Sequence, residues 1–233
     1  MNSRERMLVL IRHGNSEWNI SERFTGWADI PMCEQGGRQS EAAGQRLAGK
    51  GIVFDEVHTS MLHRTHQTAD RLLAAAGNPP VTRHETWRLN ERHYGQLQGM
   101  SKGEIFAMWG EQRSRRWWRG YFEPPPALEP DDPRHPRFDP LYAELDTTDL
   151  PCGESLSDCQ RRLLPYWHEV LAPRILAGRR LLVVSHGNTL RSLAMHLENI
   201  APDAIEKYEI PSGVPLIYRF DDELGVIGRE WLE

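Results

Sequence analysis

The chain has no run of eighteen apolar residues, so no helix of it is expected to span a membrane. Its start, Met1-Asn2-Ser3-Arg4-Glu5-Arg6, lacks the apolar core of a secretory signal and leads straight into an aliphatic run. Cysteine is scarce. Cys33, Cys152 and Cys159 are odd in number and lack metal-ligand spacing, which argues against a disulfide scaffold and for a reducing compartment, the cytoplasm. Excess positive charge is missing too: the net charge of -5 argues against non-specific nucleic-acid binding, although an acidic chain can still hold a cationic pocket. No Gly-rich loop ends in Lys-Ser or Lys-Thr, and no metal-binding constellation is expected, which turns the reading away from nucleotide and metal-phosphatase chemistry. With 39% hydrophobic and 26% charged residues, the 233-residue chain is expected to be one soluble α/β domain over 1–233.

What is present is concentrated near the start. Leu8-Val9-Leu10-Ile11 is a run of four branched aliphatics, the pattern of a strand buried on both faces in a parallel sheet. It runs into Arg12-His13-Gly14, and the C-terminal ends of such strands are where open α/β sheets place their sites. Alone, Arg-His-Gly is a three-residue match that a plain turn would satisfy. A second aliphatic run changes the odds: Arg180-Leu181-Leu182-Val183-Val184-Ser185 also ends in His-Gly, at His186-Gly187, followed by Asn188. Two parallel strands with this ending would set two imidazoles side by side. An imidazole nitrogen can attack a phosphoryl group, and a guanidinium can neutralise its oxygens in bidentate fashion.

Between these strands the pattern predicts a helix over 36–50 with Ala42, Ala43, Leu47 and Ala48 at helical spacing. It also predicts a strand over 53–59 and a helix over 61–76, with Arg64 in the first turn, where the helix dipole disfavours a cation. A further strand over 81–89 would deliver Glu91, a candidate general acid–base. Residues 15–30 show too little periodicity for an element, and Arg23-Phe24-Thr25-Gly26-Trp27 sits in a long loop that reads either as a surface loop with two stacked aromatics or as a substrate loop. A helix over 101–121 is rich in Trp and Arg and suggests a positive lid. Residues 123–151 hold eight of the sixteen prolines and read as a long ordered excursion over the site. Ser155-Leu156-Ser157-Asp158 opens a helix with a capping box, running towards Leu171 with a kink at Pro165. A helix over 189–199 and strands over 214–220 and 226–232 close the chain. The fold class expected is an α/β three-layer sandwich with a mostly parallel central sheet flanked by helices.

The stretches LVLIRHGNSEWN (8–19), RFTGWADIPM (23–32), TSMLHRTHQT (59–68), LNERHYGQLQG (89–99), WRGYFEPPP (118–126), GESL (153–156), SHGNTLR (185–191) and IPSGVPLIY (210–218) resemble the cofactor-dependent phosphoglycerate mutases of the histidine phosphatase superfamily. The resemblance covers residues 7–232, with LNERHYG and RFTGW the tracts specific to the mutase branch. It implies interconversion of 3- and 2-phosphoglycerate in glycolysis and gluconeogenesis, with 2,3-bisphosphoglycerate as intermediate and priming cofactor, no metal, and a homodimer or another homo-oligomer. His13 would carry the phosphoryl group and Glu91 the proton. Arg12, Arg64 and His186, with Gly187 and Asn188, would form the phosphate pocket. Ser16, Asn19, Thr25, Gly26, Arg92, Tyr94, Lys102 and Arg119 would bind the rest of the substrate.

Three features depart from that pattern. Trp118-Arg119 stands where many relatives have paired arginines, so one carboxylate or phosphate contact is expected either to be missing or to be supplied by Arg115 or Arg116. Asn15 follows Arg-His-Gly. The sequence stops at Glu233, where many relatives continue in a polar tail, so residues 123–151 and Trp117-Trp118-Arg119 are expected to exclude solvent, with more bisphosphate hydrolysis than in tailed relatives. The competing expectations are a histidine phosphatase of the same superfamily and a catalytically silent phospho-ligand binding module.

Overall fold

The computed structural model describes residues 5–233; residues 1–4, part of the stretch read as lacking a signal core, lie outside the described residues. In chain order the elements are β1 (Arg6–Arg12), the single turn α1 (Glu17–Ile20), α2 (Glu34–Gly49), β2 (Glu56–Thr59), α3 (His63–Ala75), β3 (Thr82–Glu85), α4 (Lys102–Trp109), α5 (Glu111–Arg119), α6 (Leu156–Tyr166), α7 (Ala172–Leu176), β4 (Leu181–Ser185), α8 (Gly187–Glu198), β5 (Leu216–Phe220) and β6 (Val226–Trp231). Four consecutive aliphatics leave β1 no polar face, so it must be covered on both sides. Leu8, Val9, Leu10 and Ile11 are indeed buried without exposed surface. Their alternation splits the interior in two. Leu8 and Leu10 pack with Leu163, Leu171, Leu190 and Leu193 from α6, α8 and the turn after α6. Val9 and Ile11 pack with Ala43, Leu47, Ala69 and Leu72 of α2 and α3. Each such buried side chain contributes about 1.5–3 kcal/mol. These are the three layers the sequence pattern implies.

The six-stranded sheet has the order β3-β2-β4-β1-β5-β6. The first four strands are parallel; β5 and β6 run antiparallel to their neighbours. β1 and β4 are neighbours with Arg12 opposite Ser185, so the two His-Gly pairs emerge together at one sheet edge. That is the juxtaposition the repeated motif predicts. No described helix is long and apolar enough to cross a membrane.

Several boundaries differ from the sequence pattern for local reasons. The strand expected over 81–89 stops at Glu85, because the Thr86 hydroxyl accepts from the Arg88 N–H and caps a 3-10 turn over Trp87–Leu89. Glu91 is therefore delivered by a turn. The helix expected over 101–121 is two, broken where Gly110 takes φ 78°, and the first starts from a Ser101/Glu104 capping box. Residues 15–30 do contain an element: Ser16 caps α1. Of the expected α2 face, Ala48 is exposed. The helix from Leu156 runs through Pro165 to Leu171 as expected, its last turn over Trp167–Leu171 being a π turn that leads on into α7.

The proline-rich segment is ordered into three 3-10 turns, Pro136–Phe138, Pro140–Tyr142 and Thr147–Asp149. It does not lie over the cleft. Tyr142 and Leu150 pack on Trp27, and the Tyr142 hydroxyl accepts from Asn90 Nδ2 at 2.8 Å, so the segment braces the loops from behind. A close backbone approach fixes its start: Gly95, at φ 54°, stands where a Cβ would lie 2.1 Å from the Pro126 carbonyl oxygen.

Candidate active site

The cleft at the C-terminal edge of the parallel strands has a volume of about 310 Å³. His13 follows β1 directly, and its N–H donates to the Ser185 carbonyl at 3.0 Å, which locks the loop to β4. Gly14 is required next, because a Cβ there would lie 2.3 Å from the Gly36 carbonyl oxygen. His13 Nδ1 lies 2.7 Å from the Gly14 carbonyl, which can only accept, so Nδ1 carries the proton and Nε2 holds the free lone pair. Burial first, then Arg64 and Arg12, holds the imidazole pKa well below its ordinary value. His13 is neutral at pH 7, as a nitrogen nucleophile must be.

His186 caps α8 and meets His13 edge-on, with ring centroids 5.0 Å apart. Its Nε2 is 2.9 Å from the Ser60 hydroxyl, and burial with Arg64 as the next cause keeps it neutral. Arg64 is only 1% exposed, which is why a cation tolerates the first turn of α3: its Nη1 and Nη2 donate to the carbonyls of Ala28 and Gly26, each at 2.8 Å. Among the described residues no carboxylate pairs with it directly, and burial lowers its pKa to about 10. Arg12 Nη1 donates to the Ile210 carbonyl at 3.2 Å.

Three buried polar atoms around His13 have no partner: Nε of Arg12, Nε of Arg64 and Nδ1 of His186. Opposite them sits Glu91, 9% exposed, whose Oε1 accepts the N–H groups of Arg92 (2.8 Å) and Asn188 (3.2 Å). The second donor is a first-turn amide of α8, so the helix end orients the carboxylate. Asn188 Nδ2 in turn donates to the Tyr94 hydroxyl at 2.8 Å. Six cationic side chains line the cleft against three carboxylates, so it is cationic although the chain is acidic.

Of the residues expected to hold substrate, Asn19, Thr25, Gly26, Tyr94, Lys102, Arg119, Gly187 and Asn188 line this cleft. Two do not. Ser16 is buried behind it, its hydroxyl and N–H both bonded to Asn19 Oδ1 in the α1 capping box. Arg92 lies beneath Tyr94, stacked on that ring at 4.9 Å and donating to the Trp118 carbonyl. The Arg-Trp helix supplies only Trp118 and Arg119 to the lining. Arg115 pairs with Glu111 and Arg116 with Glu123 on the outside, so neither supplies that carboxylate or phosphate contact.

The sequence reading also missed residues. Arg191, one turn beyond Gly187 on the buried face of α8, lines the cleft and donates to Asn188 Oδ1 at 2.8 Å; its helical spacing was the available signal. Trp27 Nε1 donates to the Glu91 carbonyl at 2.6 Å, and Arg162, paired with the buried Glu154 at 2.7 Å, braces the same carbonyl. Those partners come from distant segments, which spacing cannot reveal.

A mostly parallel sheet carries a neutral imidazole in a cationic cleft at its C-terminal edge. The chain belongs to the histidine phosphatase superfamily (branch 1), whose family model matches residues 8–145 and 129–229. It is 46% identical over 225 residues to the 2,3-bisphosphoglycerate-dependent phosphoglycerate mutase of Nitratidesulfovibrio vulgaris, covering 97% of this chain and 90% of that one. The fold is shared with a mycobacterial glucosyl-3-phosphoglycerate phosphatase (24% identity, 91% and 92% coverage, TM-score 0.68). It is shared also with the alpha-ribazole phosphatase of Shigella flexneri (19% identity, 95% and 94% coverage, TM-score 0.68).

Proposed function

We propose that the chain interconverts 3-phosphoglycerate and 2-phosphoglycerate by passing a phosphoryl group through Nε2 of His13. The observation that carries this reading is the set of partnerless buried donors, Arg12 Nε, Arg64 Nε and His186 Nδ1, gathered round a histidine whose other nitrogen is already committed. Buried polar atoms without partners are costly, and a phosphate's oxygens satisfy them. His13 Nε2 attacks phosphorus in line, the three donors and the Gly187 N–H take the developing charge, and the sugar-acid oxygen leaves. Glu91 protonates that oxygen and, in the opposite half-reaction, takes the proton from the attacking hydroxyl. Transfer to the free hydroxyl of a monophosphoglycerate gives 2,3-bisphosphoglycerate; return of its other phosphate to His13 completes the isomerisation. The same bisphosphate primes His13 with its first phosphoryl group. Tyr94, Lys102 and Arg119 hold the substrate carboxylate and distal phosphate, with Asn19, Thr25 and Gly26 on the facing wall.

The resemblance to a curated mutase at 46% identity favours this acceptor over water. The experiment is an isomerisation assay with and without added 2,3-bisphosphoglycerate, beside acid-labile phosphate labelling of wild type and His13→Ala. Stimulation by the bisphosphate, and label absent from the variant, are expected. Phosphate release in place of isomerisation would make the chain a phosphatase, and label retained in His13→Ala would assign another nucleophile.

A further inference from the structure

Two parallel strands in register present residues two apart on one face, and on β2 and β3 that face carries Glu56, His58 and His84. His58 stands opposite His84, and Glu56 precedes His58 by two. The imidazoles are stacked, with centroids 4.8 Å apart and 19° between planes. Glu56 Oε2 lies 3.6 Å from His58 Nε2 and 3.2 Å from His84 Nε2. The ligand atoms of all three lie within 4.8 Å of one another. None of them lines the catalytic cleft.

His58 is completely buried, yet its Nε2 has no hydrogen-bond partner and faces the Glu56 carboxylate. Its Nδ1 lies 2.7 Å from the Tyr166 hydroxyl. That oxygen can accept the Nδ1 proton and leave the Nε2 lone pair facing the cluster, the arrangement in which metal-binding histidines are oriented. Arg174 Nε donates to Glu56 Oε2, the same oxygen that faces the imidazoles, at 2.9 Å, and Arg179 approaches Oε1 at 3.9 Å, so the carboxylate is held in place. An arginine–glutamate pair alone would account for Arg174. It does not account for two imidazole nitrogens converging on the same oxygen. Two nitrogens and one carboxylate oxygen suit zinc, with bonds of about 2.1 Å and a fourth position left open to water. A tetrahedron of such bonds has edges of about 3.4 Å, between the two separations observed. Calcium and magnesium prefer all-oxygen shells. The His84 side chain is 33% exposed, so an ion can enter from solvent.

We propose that Glu56, His58 and His84 form a binding site for a zinc-class divalent transition-metal ion that clips β2 to β3 outside the catalytic cleft. The expectation of no metal constellation overlooked it because its members come from two strands. The test uses the full chain stripped with a chelator and titrated with Zn²⁺ against a chromophoric competitor, alongside thermal unfolding. One ion per chain is expected at this site, with a rise in Tm. His84→Asn and Glu56→Gln, both near the surface, should each weaken binding at least tenfold and abolish the rise while the metal-free Tm shifts little. Since His13 lines the catalytic cleft with His186 packed against it, His13→Ala serves as the control and should keep the ion. Absence of stoichiometric binding, or binding lost in His13→Ala but retained in His84→Asn, would overturn the proposal.

Discussion

Arg64 is the residue at which fold and function pull hardest against each other. Its guanidinium is buried, and the fall from the ordinary 12.5 to about 10 amounts to about 3 kcal/mol against the charged form. Replacing it with methionine removes that burden and keeps most of the volume. The same replacement loses two hydrogen bonds from a charged donor, to the Ala28 and Gly26 carbonyls, at about 1.5–3 kcal/mol each. The terms nearly cancel, leaving a net loss of about 0–3 kcal/mol and a Tm lower by no more than about 12 °C. Ligand response is where the variant should separate from wild type. At a phosphate concentration a hundredfold above its dissociation constant, wild type gains about 2.7 kcal/mol, a rise of about 5–11 °C. Losing the charge-assisted contact of Arg64 Nε weakens phosphate by about 10- to 150-fold, so at the same concentration Arg64→Met should gain less than about half of that. Scanning fluorimetry of both proteins, with and without phosphate, reads all four temperatures. A variant that unfolds more than about 20 °C early would make Arg64 chiefly a structural residue. A variant that keeps the full phosphate response would remove it from the anion pocket altogether.

Other outcomes follow from the same geometry. Glu91→Gln preserves the bonds from Arg92 and Asn188 but cannot exchange a proton, so kcat should fall by roughly two to four decades with little change in KM; steady-state assays within a few fold of wild type would assign the proton elsewhere. His13, His58, His93 and His186 are all held below their ordinary pKa, chiefly by burial, and so take up protons on unfolding. Their contribution to stability is complete above pH 6.5 and is lost as pH falls below it, approaching about 1.4 kcal/mol per pH unit for each; a urea midpoint unchanged between pH 6.5 and 5 would contradict this. Gly95→Ala combines φ 54° with a Cβ 2.1 Å from the Pro126 oxygen, and urea titration should register a loss of about 2–5 kcal/mol.

Those residues also mark what a sequence can disclose. Unbroken aliphatic runs identified β1 and β4, because burial on both faces leaves no other pattern, and the repeated His-Gly ending told that two imidazoles meet at one sheet edge. Periodicity could not say that β5 and β6 turn antiparallel, since a buried antiparallel strand has the same composition. Glu91 was legible as a candidate, but its delivery by a 3-10 turn depends on one hydroxyl of Thr86. Arg115 and Arg116 looked like cleft residues because charge carries no direction until the helix phase around Gly110 is known. Trp27 and Arg162 were invisible as supports of Glu91, for their contacts span 64 and 71 residues.

The strand order has a consequence for biosynthesis. β4 lies between β2 and β1, yet it is the fourth strand in the sequence. Leu181 follows Arg12 by 169 residues, so at about 5–20 residues per second the ribosome delivers it roughly 8–34 s after β1 is complete. For much of that interval the nascent chain holds the aliphatic β1 and the mixed strand β2, whose shared partner has not been made, each presenting an unpaired edge. β1 cannot pair with β5 either, which comes later still. The centre of the sheet and the second histidine of the cleft therefore arrive in one event, when Leu181–Ser185 leaves the exit tunnel. A nascent chain halted before that point displays sticky edges and no phosphate pocket, which makes this interval the window in which chaperone occupancy and translation pausing act most strongly on yield.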